Sequence, residues 1–163
     1  MKILVLSDSH SSLRFMRQCI AKFQPEQVIH LGDHYDDGQV LVQENPNIRF
    51  HQVPGNCDYF RCLPDLPKIL CYDIGGVRFY MTHGHLHGVK SGMGHLISEA
   101  RKAEAQVVLF GHTHSPVCFC EGGMYIMNPG SCGSGGGSAG IVQIECGAVA
   151  ECRLVTQEEL ISS

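Results

Sequence analysis

Several things are missing from this 163-residue chain, and each absence narrows what it can be. There is no basic excess: 16 acidic residues outnumber 12 Lys and Arg, for a net charge of −4 with no cationic cluster. Stable nucleic-acid binding through phosphate contacts is therefore not expected. A small phosphate-bearing substrate is still compatible, because a bound metal supplies positive charge locally. No apolar run approaches the ~20 residues that span a bilayer. Ile3-Leu4-Val5-Leu6 is too short for a secretory core, and no small-residue cleavage site follows it. These features predict a cytoplasmic protein without a membrane partner.

Nor does any Cys-x-x-Cys pair occur among the nine cysteines, at 19, 57, 62, 71, 118, 120, 132, 146 and 152. Neither a zinc knuckle nor a disulfide framework is expected, and the thiols should be reduced. Cys118-Phe119-Cys120 reads as strand alternation. The cysteine-protease signatures are absent too, and a covalent nucleophile is not expected. Residues 133–138 are glycine-rich but lack the Lys-Ser/Thr and the strand-to-helix setting of a phosphate loop, and read as a flexible turn.

What is present is an alternation of short apolar runs and helical periodicity with no linker, which predicts a single domain over residues 1–163. Residues 2–7 read as a buried strand. Leu13, Met16, Ile20 and Phe23 follow at helical spacing, with Ser11 or Ser12 placed as a cap. Residues 27–31 give a second strand, parallel to the first. Asp36 or Asp37 is placed to cap a helix running to Glu44, stopped by Asn45-Pro46. A strand over 48–53 and a Pro-rich loop over 63–67 come next. Strands 68–74 and 77–82 form a hairpin through Gly75-Gly76. A helix over 91–104, a strand over 106–110, and strands over 124–127, 140–145 and 149–155 complete the chain. The class is α/β with mixed strand pairings.

Placed on that map, the polar residues gather. Asp8 and His10 follow the first strand, Asp33 the second, Asn56 the third, His83 the strand ending at Thr82, and His112 and His114 the strand ending at Phe110. All lie just past C-terminal strand ends, where open α/β sheets form their ligand crevices. These seven donors are oxygen and nitrogen with no thiolate, a set suited to Mn²⁺, Fe, Zn²⁺ or Ni²⁺. They are too many for one tetrahedral ion and fit two ions that keep open positions, with one Asp between them. Two divalent ions, two aspartates and a bridging hydroxide leave a surplus of one positive charge, which suits a phosphodiester; an Asp in place of Asn56 would cancel it.

The ordered motifs Asp8-Ser9-His10, Gly32-Asp33, Gly55-Asn56-Cys57-Asp58, Thr82-His83-Gly84-His85 and Gly111-His112-Thr113-His114 resemble the calcineurin-like metallophosphoesterase superfamily. The match is closer to its small bacterial and archaeal phosphodiesterases, and reaches Asn128-Pro129-Gly130-Ser131. The resemblance implies a four-layer α/β/β/α sandwich of two mixed sheets flanked by helices. It implies two divalent ions, with Mn²⁺ the family-like choice and Ni²⁺, Zn²⁺, Fe or Co²⁺ as alternatives. One would be held by Asp8, His10, Asp33 and His114, the other by Asp33, Asn56, His83 and His112. Asp33 is then the bridge, and the activity is hydrolysis of a small phosphodiester by a metal-bridging hydroxide. If residues 112–114 are extended, Thr113 points away and explains why the ligands skip a residue.

One departure stands out. Cys57 occupies the place where much of the superfamily has a His that assists the leaving group, as it also does in the small phosphodiesterase branch. A thiol is a poor general acid near neutral pH, so His85 or a metal-bound water is the other proton source. His83, His85 and His87 share a parity that could put them on one side, and Asp58 reads as a supporting carboxylate. His30, His34, His51 and His95 default to structural roles. The alternatives are a phosphomonoesterase or nucleotidase on the same site, and a non-catalytic scaffold like the retromer subunit that shares this fold. A homo-oligomer is compatible with the resemblance, although no self-complementary face is evident.

Overall fold

The computed structural model describes residues 1–61 and 65–162, so Leu63 and Pro64 of the expected Pro-rich loop lie outside the described residues. The order of elements is β1 (Lys2–Leu6), α1 (Leu13–Phe23), β2 (Gln27–His30), α2 (Tyr35–Glu44), β3 (Arg49–Gln52), β4 (Ile69–Ile74) and β5 (Val77–Thr82). Then come α3 (Gly94–Lys102), β6 (Val107–Leu109), β7 (Val117–Glu121), β8 (Met124–Asn128), β9 (Ser138–Glu145), β10 (Ala148–Thr156) and α4 (Gln157–Ile161).

Two five-stranded mixed sheets result, ordered β10-β9-β1-β2-β3 and β4-β5-β6-β8-β7. β1, β2 and β3 are mutually parallel, as are β5, β6 and β8. Their continuous apolar runs have a simple cause: each central strand is buried on both faces. In β1, Ile3 and Val5 face the second sheet while Leu4 and Leu6 pack under α1 beside Met16 and Ile20. In β6, Val107 and Leu109 face the first sheet while Val108 packs with Leu96 and Ala100 of α3. The layers are therefore helix, sheet, sheet, helix, the expected sandwich. Gly75 and Gly76, at φ 59° and 84°, form the expected tight turn between β4 and β5.

The helix starts differ from the sequence reading. Ser12 occupies the N-cap of α1 but its side chain makes no capping bond. His34 is the N-cap of α2, at φ 68°, so Asp36 and Asp37 fall inside the first turn, where negative charge complements the helix dipole. Asp37 is diverted to Ser9, whose hydroxyl donates to it at 2.7 Å, and to the Ser11 N–H at 2.8 Å. That ties α2 to the loop after β1. Helix α3 is shorter than the 91–104 expectation, because Gly92 (φ 140°) cannot join it.

At the edge where β3 meets β4, His51 bridges the sheets. Its Nε2 lies 2.7 Å from Gln27 Oε1 and its Nδ1 2.6 Å from the Tyr72 hydroxyl. These partners suit a neutral ring that donates from Nε2 and accepts at Nδ1. Burial, with help from Arg49, brings its pKa down from 6.5 to about 4. The unfolded chain therefore binds the proton more readily, so the stability His51 contributes is full above pH 6.5 and is lost as pH falls towards 4. Between pH 7 and 5 the native protein should lose about 2 kcal/mol that a His51→Gln variant does not. Urea titrations of both proteins at the two pH values measure this; equal losses would remove His51 as the source.

Candidate metal centre

The C-terminal ends of β1, β2 and β3 in one sheet and of β5 and β6 in the other meet at one rim of the sandwich. Each of the seven expected donors sits on a loop leaving that rim. Five of them hold left-handed backbone: Asp8 (φ 52°), His10 (43°), Asp33 (55°), His112 (70°) and His114 (58°). Such a conformation is uncommon outside glycine, and its clustering at a site is a sign of function rather than of turn chemistry. It also revises the account of the last motif. Residues 112–114 are not extended, so strand alternation does not explain the skipped residue. Instead Thr113 is turned to the structural side, where its Oγ1 accepts from Asn128 Nδ2 at 2.8 Å.

Two glycines let the loops after β2 and β3 touch. A Cβ on Gly32 would collide with the Gly55 backbone, and one on Gly55 would collide with the Asp33 carboxylate. Gly111 does the same for the loops after β1 and β6, since a Cβ there would strike Ser7 Oγ and lie 2.7 Å from Asp8 Oδ2.

Hydrogen bonds then aim the side chains. Asp8 is fully buried; its Oδ2 accepts from the Ser7 hydroxyl and from the His112 N–H at 3.1 Å. Its Oδ1 is buried and has no hydrogen-bond partner among the described residues. His114 Nε2 comes within 3.1 Å of it but out of bonding alignment. Asp33 accepts the Cys57 N–H at 2.9 Å. Burial pushes its carboxyl up, whereas His83 and His10, when their rings are protonated, and the Cys57 N–H pull it below the ordinary range. His83 is fully buried and its Nδ1 lies 2.7 Å from the Leu31 carbonyl, which fixes the proton there in the neutral ring. The Nε2 lone pair then faces Asn56 Oδ1 at 3.1 Å, Asp33 Oδ1 at 3.4 Å and Asp8 Oδ1 at 3.9 Å.

Of the four acceptors that converge here, only Asp33 Oδ1 has a hydrogen-bond donor, the Cys57 N–H, while Asp8 Oδ1 is buried without one, an arrangement that is unfavourable unless a cation lies at its centre. On the other side, Asp8, His10, Asp33 and His114 present ligand atoms all within 4.8 Å of one another, with His10 and His114 Nε2 separated by 3.3 Å. The His112 ring centroid is 5.1 Å from that of His83. The donor set is one that could hold divalent ions, and the orphaned Asp8 Oδ1 is the clearest sign that it fits them.

The remaining expected residues separate. Cys57 is exposed at the start of a short 3₁₀ turn, Asn56–Arg61; partial desolvation and the neighbouring Asp33 push its thiol up to about 11. Asp58 is buried, accepting from Tyr35 N–H at 2.9 Å and Gly55 N–H at 2.7 Å, so it fixes loops rather than facing a ligand. His85 lies at the rim, its ring 5.4 Å from His83 and its Nε2 3.0 Å from the Tyr59 hydroxyl. Burial, then His83 and His112, lower its pKa to about 4. The shared parity of 83, 85 and 87 fails because His85–His87 is a 3₁₀ turn: His87 turns away to the Tyr80 hydroxyl at 3.0 Å. His30 and His51 are structural as expected, but His34 stacks edge-on against His10 at 5.1 Å.

Sequence reasoning missed the supports. Ser131 donates to the Asp8 carbonyl at 2.8 Å, and Cys132 N–H donates to the Ser7 carbonyl at 3.0 Å. Gly133 packs so closely on the Ser9 carbonyl that a Cβ would have no room. The glycine-rich stretch is thus partly a clamp on the first ligand loop, and Asn128-Pro129-Gly130-Ser131 was the signal for it. Tyr59, half exposed with Lys68 Nζ 4.9 Å over its ring, adds an aromatic wall beside His85.

Known proteins resemble this chain in sequence and in fold. The "Probable metallophosphoesterase YsnB" of Bacillus subtilis is 33% identical over 131 residues, covering 80% of this chain and 75% of that protein. A phosphodiesterase of Methanocaldococcus jannaschii is 31% identical over 146 residues, covering 81% and 84%. A crystal structure from Streptococcus pneumoniae, described as a predicted phosphoesterase, superposes with TM-score 0.77 at 26% identity over 96% of this chain and 90% of that one. Residues 1–147 match the family model of the calcineurin-like phosphoesterase superfamily domain. With that match spanning most of its length, the chain belongs to the calcineurin-like phosphoesterase superfamily.

Proposed function

We propose that this protein is a phosphodiesterase that works with two divalent ions, most simply Mn²⁺, on a small phosphodiester in the cytoplasm. The convergence of Asp8, Asp33, Asn56 and His83 acceptors around a buried Asp8 Oδ1 that has no donor is the observation that carries it. Asp8, His10, Asp33 and His114 would hold one ion; Asp33, Asn56, His83 and His112 the other. Bound metals supply a nucleophile available near neutral pH and positive charge against the phosphoryl oxygens.

The chain's own residues do the rest. Ser7 and the His112 N–H lock one Asp8 oxygen so that the other is presented. Leu31 orients His83, and Cys57 N–H orients Asp33. Asn56 contributes an oxygen without a charge, which preserves the positive surplus that attracts a monoanionic diester. The relatives named as phosphodiesterase and metallophosphoesterase support the same chemistry.

Departure of the leaving group has weak protein support, since Cys57 offers only a thiol, a poor general acid near neutral pH. The enzyme therefore prefers esters of acidic alcohols. Cys57→His should raise the rate on alkyl-ester diesters by about a hundredfold and leave p-nitrophenyl diesters little changed. An identical gain on both would mean that the residue acts other than as a proton donor.

The reading is tested on chelator-stripped protein, assayed with and without Mn²⁺ on bis-(p-nitrophenyl) phosphate beside p-nitrophenyl phosphate. Metal-dependent turnover favouring the diester is expected. Greater monoester activity would replace it with the phosphomonoesterase alternative, and no turnover with any divalent ion with the scaffold alternative.

A further inference from the structure

Among the eight described cysteines, two meet across the sandwich. Cys118 lies on β7, an edge strand of one sheet, and Cys152 on β10, an edge strand of the other. They are 34 positions apart, yet their Sγ atoms lie 3.6 Å from each other, and Cys118 Sγ is 3.3 Å from the Cys152 carbonyl oxygen. Both are half-buried against the shared inter-sheet core. The others differ: Cys57, Cys71, Cys120 and Cys146 are exposed, and Cys19 and Cys132 are buried.

We propose that Cys118 and Cys152 are a reversible oxidation site, closing a disulfide that ties β7 to β10 and joins the two sheets covalently at their common edge. The separation exceeds a bonded S–S distance of ~2.05 Å by an amount that side-chain rotation spans. The oxidant is a hydroperoxide. The Cys118 sulfur, as thiolate, attacks one peroxide oxygen and the O–O bond breaks, leaving a sulfenic acid and, after protonation of the departing oxygen, water or an alcohol. The Cys152 sulfur then attacks the Cys118 sulfur and displaces hydroxide, which leaves as water with the second thiol proton. Two thiols lose two electrons in total and one peroxide is reduced. The contact with Cys152 lowers the Cys118 thiol and raises its partner, which suits Cys118 to the first step. A small dithiol restores the pair.

The loop so closed spans residues 118–152 and includes Asn128 and Ser131, which brace the Gly111 and Asp8 loops. Cross-linking it stabilises the fold by restricting the unfolded chain.

The test treats the folded full-length protein with near-stoichiometric hydrogen peroxide, blocks remaining thiols with N-ethylmaleimide, and digests after glutamate. Peptides 105–121 and 152–158 should be recovered as one linked species. Cys120→Ser should keep that linkage, and Cys118→Ser and Cys152→Ser should lose it. The oxidised wild type should melt on the order of 10 °C higher, an increment reversed by dithiothreitol and missing in Cys152→Ser. A linkage that disappears in Cys120→Ser, or oxidation confined to the exposed cysteines while the pair stays reduced, would overturn the proposal.

Discussion

Asp33→Asn protein is expected to fold like the native chain and to hydrolyse bis-(p-nitrophenyl) phosphate on the order of a thousandfold more slowly. That factor corresponds to about 4 kcal/mol of transition-state stabilisation, the scale assigned to metal clamping of a phosphoryl group. The fold should survive because the bond that orients Asp33 is accepted at Oδ1 from Cys57 N–H, and an amide oxygen accepts it as well. What an amide lacks is the negative charge with which Asp33 would hold both of the proposed ions. Metal analysis of the purified variant should therefore show fewer than two ions per chain. Its melting temperature without metal should match the wild type. A variant that keeps both its ions and its rate would remove Asp33 as the bridge.

Gly55→Ala is expected to be severely damaging for the addition of a single methyl group. Its added Cβ would occupy the position of Asp33 Oδ1 and press on the Asp33 backbone, which is rigid on both sides. Gly32, facing it, has no side chain to move, and its own φ of 97° leaves little freedom. Overpacking of this kind costs about 3 kcal/mol, or roughly 10 °C in a domain of this size. Displaced Asp33 should also cost metal affinity, so thermal and metal titrations should fall together. A control such as Gly88→Ala has open space around its Cβ and loses only through its φ of 62°. If Gly55→Ala were as mild as that control, the close approach of the two loops would not be rigid.

Much of this fold was legible because buried parallel strands announce themselves as apolar runs, and because Gly75-Gly76 has one economical reading. The donors were legible for a different reason: each follows a strand end, and the order of five short motifs is specific where any one alone is not. What stayed hidden depends on contacts between distant segments. Nothing local says that Asp37 will accept from Ser9 rather than cap α2, that Gly133 will lie against Ser9, or that His87 will turn to Tyr80. The pairing of Cys118 with Cys152 is of the same kind, set by which edges of two sheets face each other. Helix starts failed through tertiary override of capping preference, with His34 holding a cap position that composition would give to an aspartate.

The left-handed backbone at five donor positions reaches beyond this molecule to how its descendants can vary. At φ between 43° and 70° a β-branched side chain clashes with its own carbonyl, whereas Asp, Asn, His and Gly are tolerated. A lineage that gave up its metals would be confined to that short vocabulary at residues 8, 10, 33, 112 and 114, and would carry asparagine or glycine there as a relic. The converse holds for a designer. Because the chain is already bent at those five places, their side chains could be exchanged among Asp, Asn, His and Gly without new backbone strain.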